Sequence, residues 1–261
     1  MKKNSFTVLT AFPELIQPYL QDGILSKACK NNLLLLDFVS LRDFSMNKYK
    51  SIDDAPFGGS DGMLITCEVL EGALQSVSDW QKKKIVYLTP QGKLWNANLA
   101  SEWAKQNEEI ILISGRYAGI DQRFINQYVD EEISIGDFVL SGGELAAMVL
   151  IESTARFIPG VLGDATSVDK DSHQNGLLEA PQFTRPQSWN SMEIPSILTS
   201  GHHAKIKEWQ ENVSILVTFK KRPELLKNLE IDWNRLKEFY HTLSDKDLIT
   251  LDLKDIKFPH E

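Results

Sequence analysis

The stretch EEISIGDFVLSGGELAAMVLIESTARFIPG, residues 131–160, decides how this chain folds. Its opening residues alternate in the manner of a strand. The paired glycines Gly142-Gly143 follow, and then a long apolar run that closes in Arg156-Phe157-Ile158-Pro159-Gly160. Strand, glycine turn and helix in that order form one unit of an α/β layer fold. Such a turn often cradles phosphate on the amides of a helix N-terminus. This one carries Asp137 and Glu144 and no lysine, so it poses the question of what an acidic, apolar glycine turn binds instead.

Outward from that stretch, the first ~160 residues keep alternating between strand-like runs and amphipathic helical runs. Strands are expected over 5–12, 33–39, 84–89, 109–114 and 131–135. A helix is expected to open at Pro13, a favoured residue for a first turn. Others are expected over 68–77, 97–105, 121–128 and 143–157. Residues 53–63, with three glycines and a proline, read as a loop. They match neither a dinucleotide fingerprint nor a P-loop. Pro159-Gly160 ends the long helix, and the polar residues that follow read as a flexible linker or lid. Helical periodicity resumes at Ala204 and runs to about Lys237, with a short last helix over 244–248. The expected organisation is an α/β domain over 1–163, a linker over 164–176 and a small, mainly helical domain over 177–261.

Composition limits the function classes. The chain has 261 residues and a formal net charge of −8. Taken alone, that argues against a nucleic-acid partner, because phosphate binding usually shows as a basic surface. The charge is uneven, however. Residues 1–184 hold 16 basic and 24 acidic side chains, whereas residues 185–261 hold 12 of each, with a basic cluster at Lys220-Lys221-Arg222. No apolar run approaches the ~18 residues of a membrane span, so no membrane partner is expected. The N-terminal residues read as a first strand and not as a signal peptide. Two cysteines, Cys29 and Cys67, show no metal-ligand spacing and suit a reducing cytosol.

In open α/β sheets, ligands bind beyond the carboxyl ends of the strands. Three such ends carry glycine loops here: Pro90-Gln91-Gly92, Gly115-Arg116-Tyr117-Ala118-Gly119 and Gly136-Asp137-Phe138-Val139-Leu140-Ser141-Gly142-Gly143. They offer amides, carbonyls and apolar side chains but little positive charge. A flat, uncharged ring such as adenine suits that wall. The candidate reactive groups are Arg116 at a strand end, Arg156 near a helix end, and Asp169 and Asp171 in the linker. His173, His202 and His203 have no metal spacing and no adjacent nucleophile, and read as surface residues.

These residues resemble a known family. The run from Ile133 to Glu144 is similar to that of bacterial tRNA (guanine-37-N1)-methyltransferases. So are Leu88-Thr89-Pro90-Gln91-Gly92, Gly115-Arg116-Tyr117, Gly119-Ile120-Asp121, the run from Arg156 to Gly163, Thr184-Arg185-Pro186 and Arg222-Pro223-Glu224-Leu225-Leu226. Order and spacing hold from residue 5 to about residue 230. The resemblance implies a SPOUT-type parallel sheet with a deep trefoil knot, a homodimer, and S-adenosylmethionine held in the knot in a bent form. It implies a tRNA partner gripped at its anticodon stem-loop, a cytoplasmic setting, and methylation of guanine N1 at position 37. By position, it places Tyr87, Leu88, Pro90, Gly115, Tyr117, Ser134, Ile135, Gly136, Asp137, Phe138, Val139, Leu140, Gly142 and Gly143 around the cofactor. Asp171 matches the family's general base and Arg156 its assisting arginine.

Some residues depart from the family pattern. Ala118 stands where a glutamate linked to magnesium dependence is usual. Ser60-Asp61, His173 and Glu179-Ala180 also differ. The resemblance allows magnesium as a further cofactor, but Ala118 weakens that expectation, and the departures bear on magnesium dependence and full activity more than on fold or methyl donor. Two other readings share the residues: a SPOUT methyltransferase with another RNA target, and a weakly active RNA-binding relative.

Overall fold

The structure is a computed structural model that describes residues 4–20, 22–59, 61–162 and 171–259. It divides into two compact units, Met1–Ala165 and Thr166–Glu261. The first unit is an α/β layer. Its strands are β1 (Asn4–Thr10), β2 (Leu34–Ser40), β3 (Asp53–Asp54), β4 (Leu64–Ile65), β5 (Lys84–Leu94), β6 (Glu109–Ser114) and β7 (Glu131–Ser134). Its helices are α1 (Gly23–Lys30), α2 (Cys67–Gln75), α3 (Ala97–Gln106), α4 (Gln122–Tyr128) and α5 (Glu144–Ala155).

Five strands form one sheet in the order β2-β1-β6-β5-β7, and every pairing in it is parallel. A parallel sheet is covered on both faces, so its inner strands carry apolar runs, as in Ile110–Ile113 of β6. Alternation then assigns each side chain to a layer. Phe6, Val8, Val86, Ile110 and Leu112 face one core with residues of α1, α3 and α5. Leu9, Ile85, Tyr87, Ile111 and Ile113 face the other with residues of α2 and α4. α5 supplies the most continuous apolar surface, with Ala146, Ala147, Leu150, Ile151 and Ala155 all buried.

The first helix differs from expectation. Two 3-10 turns, Pro13–Leu15 and Gln17–Leu20, replace it, and α1 begins only at Gly23. Pro18 lacks the amide that a continuing α-helix needs. β5 is longer than expected because the chain beyond Pro90 returns to its neighbour. Leu88 and Lys93 both register on Ile133, and Leu94 registers on Ser134. The first two residues of the expected 53–63 loop form β3, which pairs antiparallel with β4.

The second unit is mainly helical. It contains a two-stranded ribbon of β8 (Ser188–Trp189) and β9 (Met192–Glu193), and the helices α6 (His203–Lys221), α7 (Trp233–Thr242) and α8 (Asp245–Thr250). The long helix expected to about Lys237 breaks at Pro223, where a 3-10 turn Pro223–Asn228 takes over. Trp209, Val213, Leu216 and Val217 of α6 pack against Leu236, Leu251, Leu253 and Phe258. The part of the expected linker that is described, 171–176, forms turns. His173 N donates to Leu177 O at 2.7 Å, and Leu178 N donates to Thr218 Oγ1 at 2.9 Å. Asp169 and Ser60 lie outside the described residues. Two members of the basic cluster are paired internally: Lys220 with Asp252 at 2.8 Å, and Arg222 with Glu224.

Leu253 is fully buried although it lies in the last turns of the chain. Leu253→Ala is expected to cost the second unit about 3 kcal/mol. Limited proteolysis should then cut within 171–259 while the first unit stays intact. Wild-type protease resistance would show that the C-terminal turns are not part of that core.

Candidate active site

The carboxyl ends of β5, β6 and β7 open onto a cavity of about 360 Å³, within the range of small-molecule and cofactor sites. Of the residues that the resemblance assigns to the cofactor, all but Asp137 line it. Asp137 is exposed and does not line the cavity. Thr89, Ile133 and Ala146 also line the cavity and were not expected there. Their signal was masked, because each sits inside a strand or helix pattern that core packing already explains.

Backbone contact builds the walls. Gly143 N donates to Gly115 O at 2.9 Å, which ties the turn before α5 to the loop after β6. A Cβ at Gly143 would lie 2.8 Å from the Cα of Ser114, and one at Gly92 would lie 2.6 Å from the carbonyl oxygen of Glu132. Only glycine permits such approaches. In the turn after β7, Ser134 Oγ donates to Gly136 O at 3.0 Å and accepts from Gly136 N at 3.2 Å. Phe138 N then donates to Gly136 O at 2.9 Å. This presents Phe138 and Val139 at the cavity edge, half and more exposed.

Tyr87 forms part of the floor. Burial pushes its phenol above the ordinary range, so it remains a neutral hydroxyl. It lies against Gly115 and Gly119, where a Cβ would approach the ring or hydroxyl to about 3 Å. Arg116 is the one charged side chain among the described lining residues. Its Nε lies 3.1 Å from a carboxylate oxygen of the buried Glu144. A cavity of amides, carbonyls and apolar side chains with its one cation already paired fits an uncharged ring better than a phosphate.

The two candidate reactive residues lie in different units. Arg156 is half-buried and caps the C-terminus of α5, the helix whose first turn closes the cavity. Asp171 is half-buried and begins the turn whose carbonyl accepts from Gln174 N. Ala118 is exposed, donates its backbone N–H to Met63 O at 2.9 Å, and offers no carboxylate. Among the described residues, no group of three or more His, Cys, Asp or Glu side chains could hold a metal ion. Cys29 and Cys67 are free thiols. His202 and His203 are exposed where α6 begins. No described helix is long and apolar enough to cross a membrane.

Fold and cavity together define an α/β protein with a cavity lined by glycine loops at the carboxyl edge of a parallel sheet. The family model described as tRNA (Guanine-1)-methyltransferase TrmD matches residues 4–228, and the chain belongs to that family. A tRNA (guanine-N(1)-)-methyltransferase of Ruminiclostridium cellulolyticum is 47% identical over 226 residues, covering 86% of this chain and 97% of the relative. The enzyme of that name from Buchnera aphidicola is 48% identical over 224 residues, 85% of each chain. That from Desulforamulus reducens is 42% identical over 255 residues, 96% of this chain and 98% of its own. Helices α7 and α8 lie beyond the residues matched by the family model, yet they complete the core of the second unit.

Gly143→Ala forces a methyl group against the Ser114 backbone, and is expected to cost the first unit about 2 kcal/mol. Ser141→Ala, on the exposed neighbour, should stay within about 0.5 kcal/mol of the parent. Denaturant titration of both variants checks this. Equal midpoints would mean that the loops part without cost.

Proposed function

We propose that the chain methylates N1 of guanine 37 in tRNA, next to the anticodon, with S-adenosylmethionine as methyl donor. One observation carries the reading: the loops that match the family's cofactor loops converge on a single cavity whose lining suits adenine. The residues fit the donor, since glycines bring backbone amides and carbonyls to the wall and Leu88, Ile133, Ile135 and Leu140 supply apolar contact. When bound, S-adenosylmethionine supplies a methyl group made electrophilic by its sulfonium, so alignment provides much of the rate.

Guanine N1 holds a proton near neutral pH and must lose it to attack. Asp171 is the proposed general base that takes it. Negative charge then grows toward guanine O6, and Arg156 is the proposed cation that meets it. The proposed domain 1–163 holds the donor, and 177–261 grips the anticodon stem-loop. Residues 164–176 are the proposed linker that brings Asp171 to the target.

A homodimer is part of the proposal. α5 is apolar around most of its circumference, yet Leu145 and Val149 on one face are 55% and 43% exposed. On the same face, Glu152 borders a depression lined by Tyr19 and Ile24, which continues the uncovered surface. A second copy would cover it. The trefoil knot is likewise proposed. The double pairing of β5 with β7 and the crossing of Gly92 over the Glu132 backbone support it. A cytoplasmic setting follows from the substrate. Among the described residues, Ala118 offers no carboxylate to a cation and no group of three or more acidic, His or Cys side chains could hold one, so magnesium has no role in the proposed reaction.

Transfer of labelled methyl to tRNA transcripts tests the reading. Transcripts with guanine at 37 should yield N1-methylguanine after digestion, and those with adenine there should stay unlabelled. Asp171→Asn should lower turnover by at least ~100-fold, while binding of S-adenosylhomocysteine stays unchanged. Near-normal turnover in that variant would remove Asp171 from the role.

A further inference from the structure

We infer that Glu144 is a positioning residue for the donor cavity, acting through Arg116. The inference rests on the reading of the cavity as the S-adenosylmethionine site. Glu144 lies in the first turn of α5, 3% exposed, and does not itself line the cavity. A buried carboxylate is costly unless its oxygens are satisfied, and here they are. Thr10 Oγ1 donates to Oε1 at 2.7 Å. Arg116 Nε donates to Oε1 at 3.1 Å and lies 3.1 Å from Oε2.

These three residues come from three elements. Thr10 ends β1, Arg116 follows β6, and Glu144 starts α5. One carboxylate therefore joins three strand-end segments. Arg116 extends the join: its Nη1 donates to Ser141 O at 3.4 Å, and its guanidinium lies 4.5 Å from the centroid of the Phe12 ring. Arg42 approaches the same ring at 4.7 Å. Phe12 N in turn donates to Thr10 Oγ1 at 3.0 Å.

The ion pair packs against the outer side of the glycine turn. A Cβ at Gly142 would lie 2.5 Å from Glu144 Oε2 and 2.6 Å from Arg116 Cδ. Gly142 is thus small because the pair stands behind it. With the pair in place, Arg116 is held as a neutralised part of the wall, its side chain 18% exposed. Without the carboxylate, a charged guanidinium would border a cavity meant for a cationic sulfonium and an uncharged ring. Glu144 therefore sets both the spacing of the two loops and the charge that the donor meets. It also accounts for the acidic residue in a turn that has no lysine.

The test is Glu144→Gln, read by titration with S-adenosylhomocysteine and by steady-state kinetics on tRNA. Losing a charged partner should weaken S-adenosylhomocysteine binding and raise KM for S-adenosylmethionine about tenfold, with kcat within about threefold and KM for tRNA unchanged. Thr10→Val removes one hydrogen bond to the same carboxylate and should weaken donor binding about threefold. Arg116→Gln added to Glu144→Gln should lose much less than the sum of the single changes. Unchanged donor binding in Glu144→Gln would overturn the inference. So would a fall in kcat with donor KM unchanged, which would mark Glu144 as acting on the reaction itself. If Glu144→Gln does not fold by circular dichroism, unchanged donor binding in Thr10→Val overturns it instead. A wild-type chain that binds no S-adenosylhomocysteine would overturn the reading of the cavity, and this role with it.

Discussion

The site depends on backbone lying against backbone. At Gly92 and Gly143 a neighbouring main chain occupies the space that a side chain would need. These contacts bring the loops after β5, β6 and β7 close enough to share one cavity. They also decide its chemistry. A wall made of peptide groups offers donors and acceptors at fixed spacing and no net charge, and this suits a heteroaromatic ring. A phosphate would require amides aimed at one point and usually a lysine.

Charge at the site is handled locally. The first part of the chain is acidic, yet the one cation on the described cavity wall is held by a buried carboxylate. In the second unit, Lys220 and Arg222 have acidic partners as well. The run of basic residues in the sequence is therefore a weaker RNA-binding signal than it first suggests. Exposed pairs of this kind contribute little to stability and are screened by salt. Their acidic partners nonetheless lower the positive potential available to a phosphate.

Much of the fold was legible because it rests on periodicity. The five sheet strands were found within a residue or two at most ends, since a parallel sheet buried on both faces writes itself as short apolar runs. α5 was legible from its apolar length. The first helix was misjudged because Pro13 starts a turn that Pro18 does not let continue. The break at Pro223 was missed because the helical pattern of α6 carries on beyond it. The return of β5 at Lys93 and Leu94 was invisible, since a strand that pairs twice with one neighbour leaves no local mark.

By itself, the sequence determined the layer class, the strand-end loops and, through several separate motifs, the family. Local patterns suffice for these, because period, glycine and proline act over a few residues. Only the tertiary structure decided that the loops share one cavity, that Asp137 is not among the residues lining it, and that Glu144 reaches back to Thr10 and Arg116. Those are contacts between residues up to 134 positions apart. They arise from which strand ends the sheet order brings together, and no spacing along the chain encodes that order.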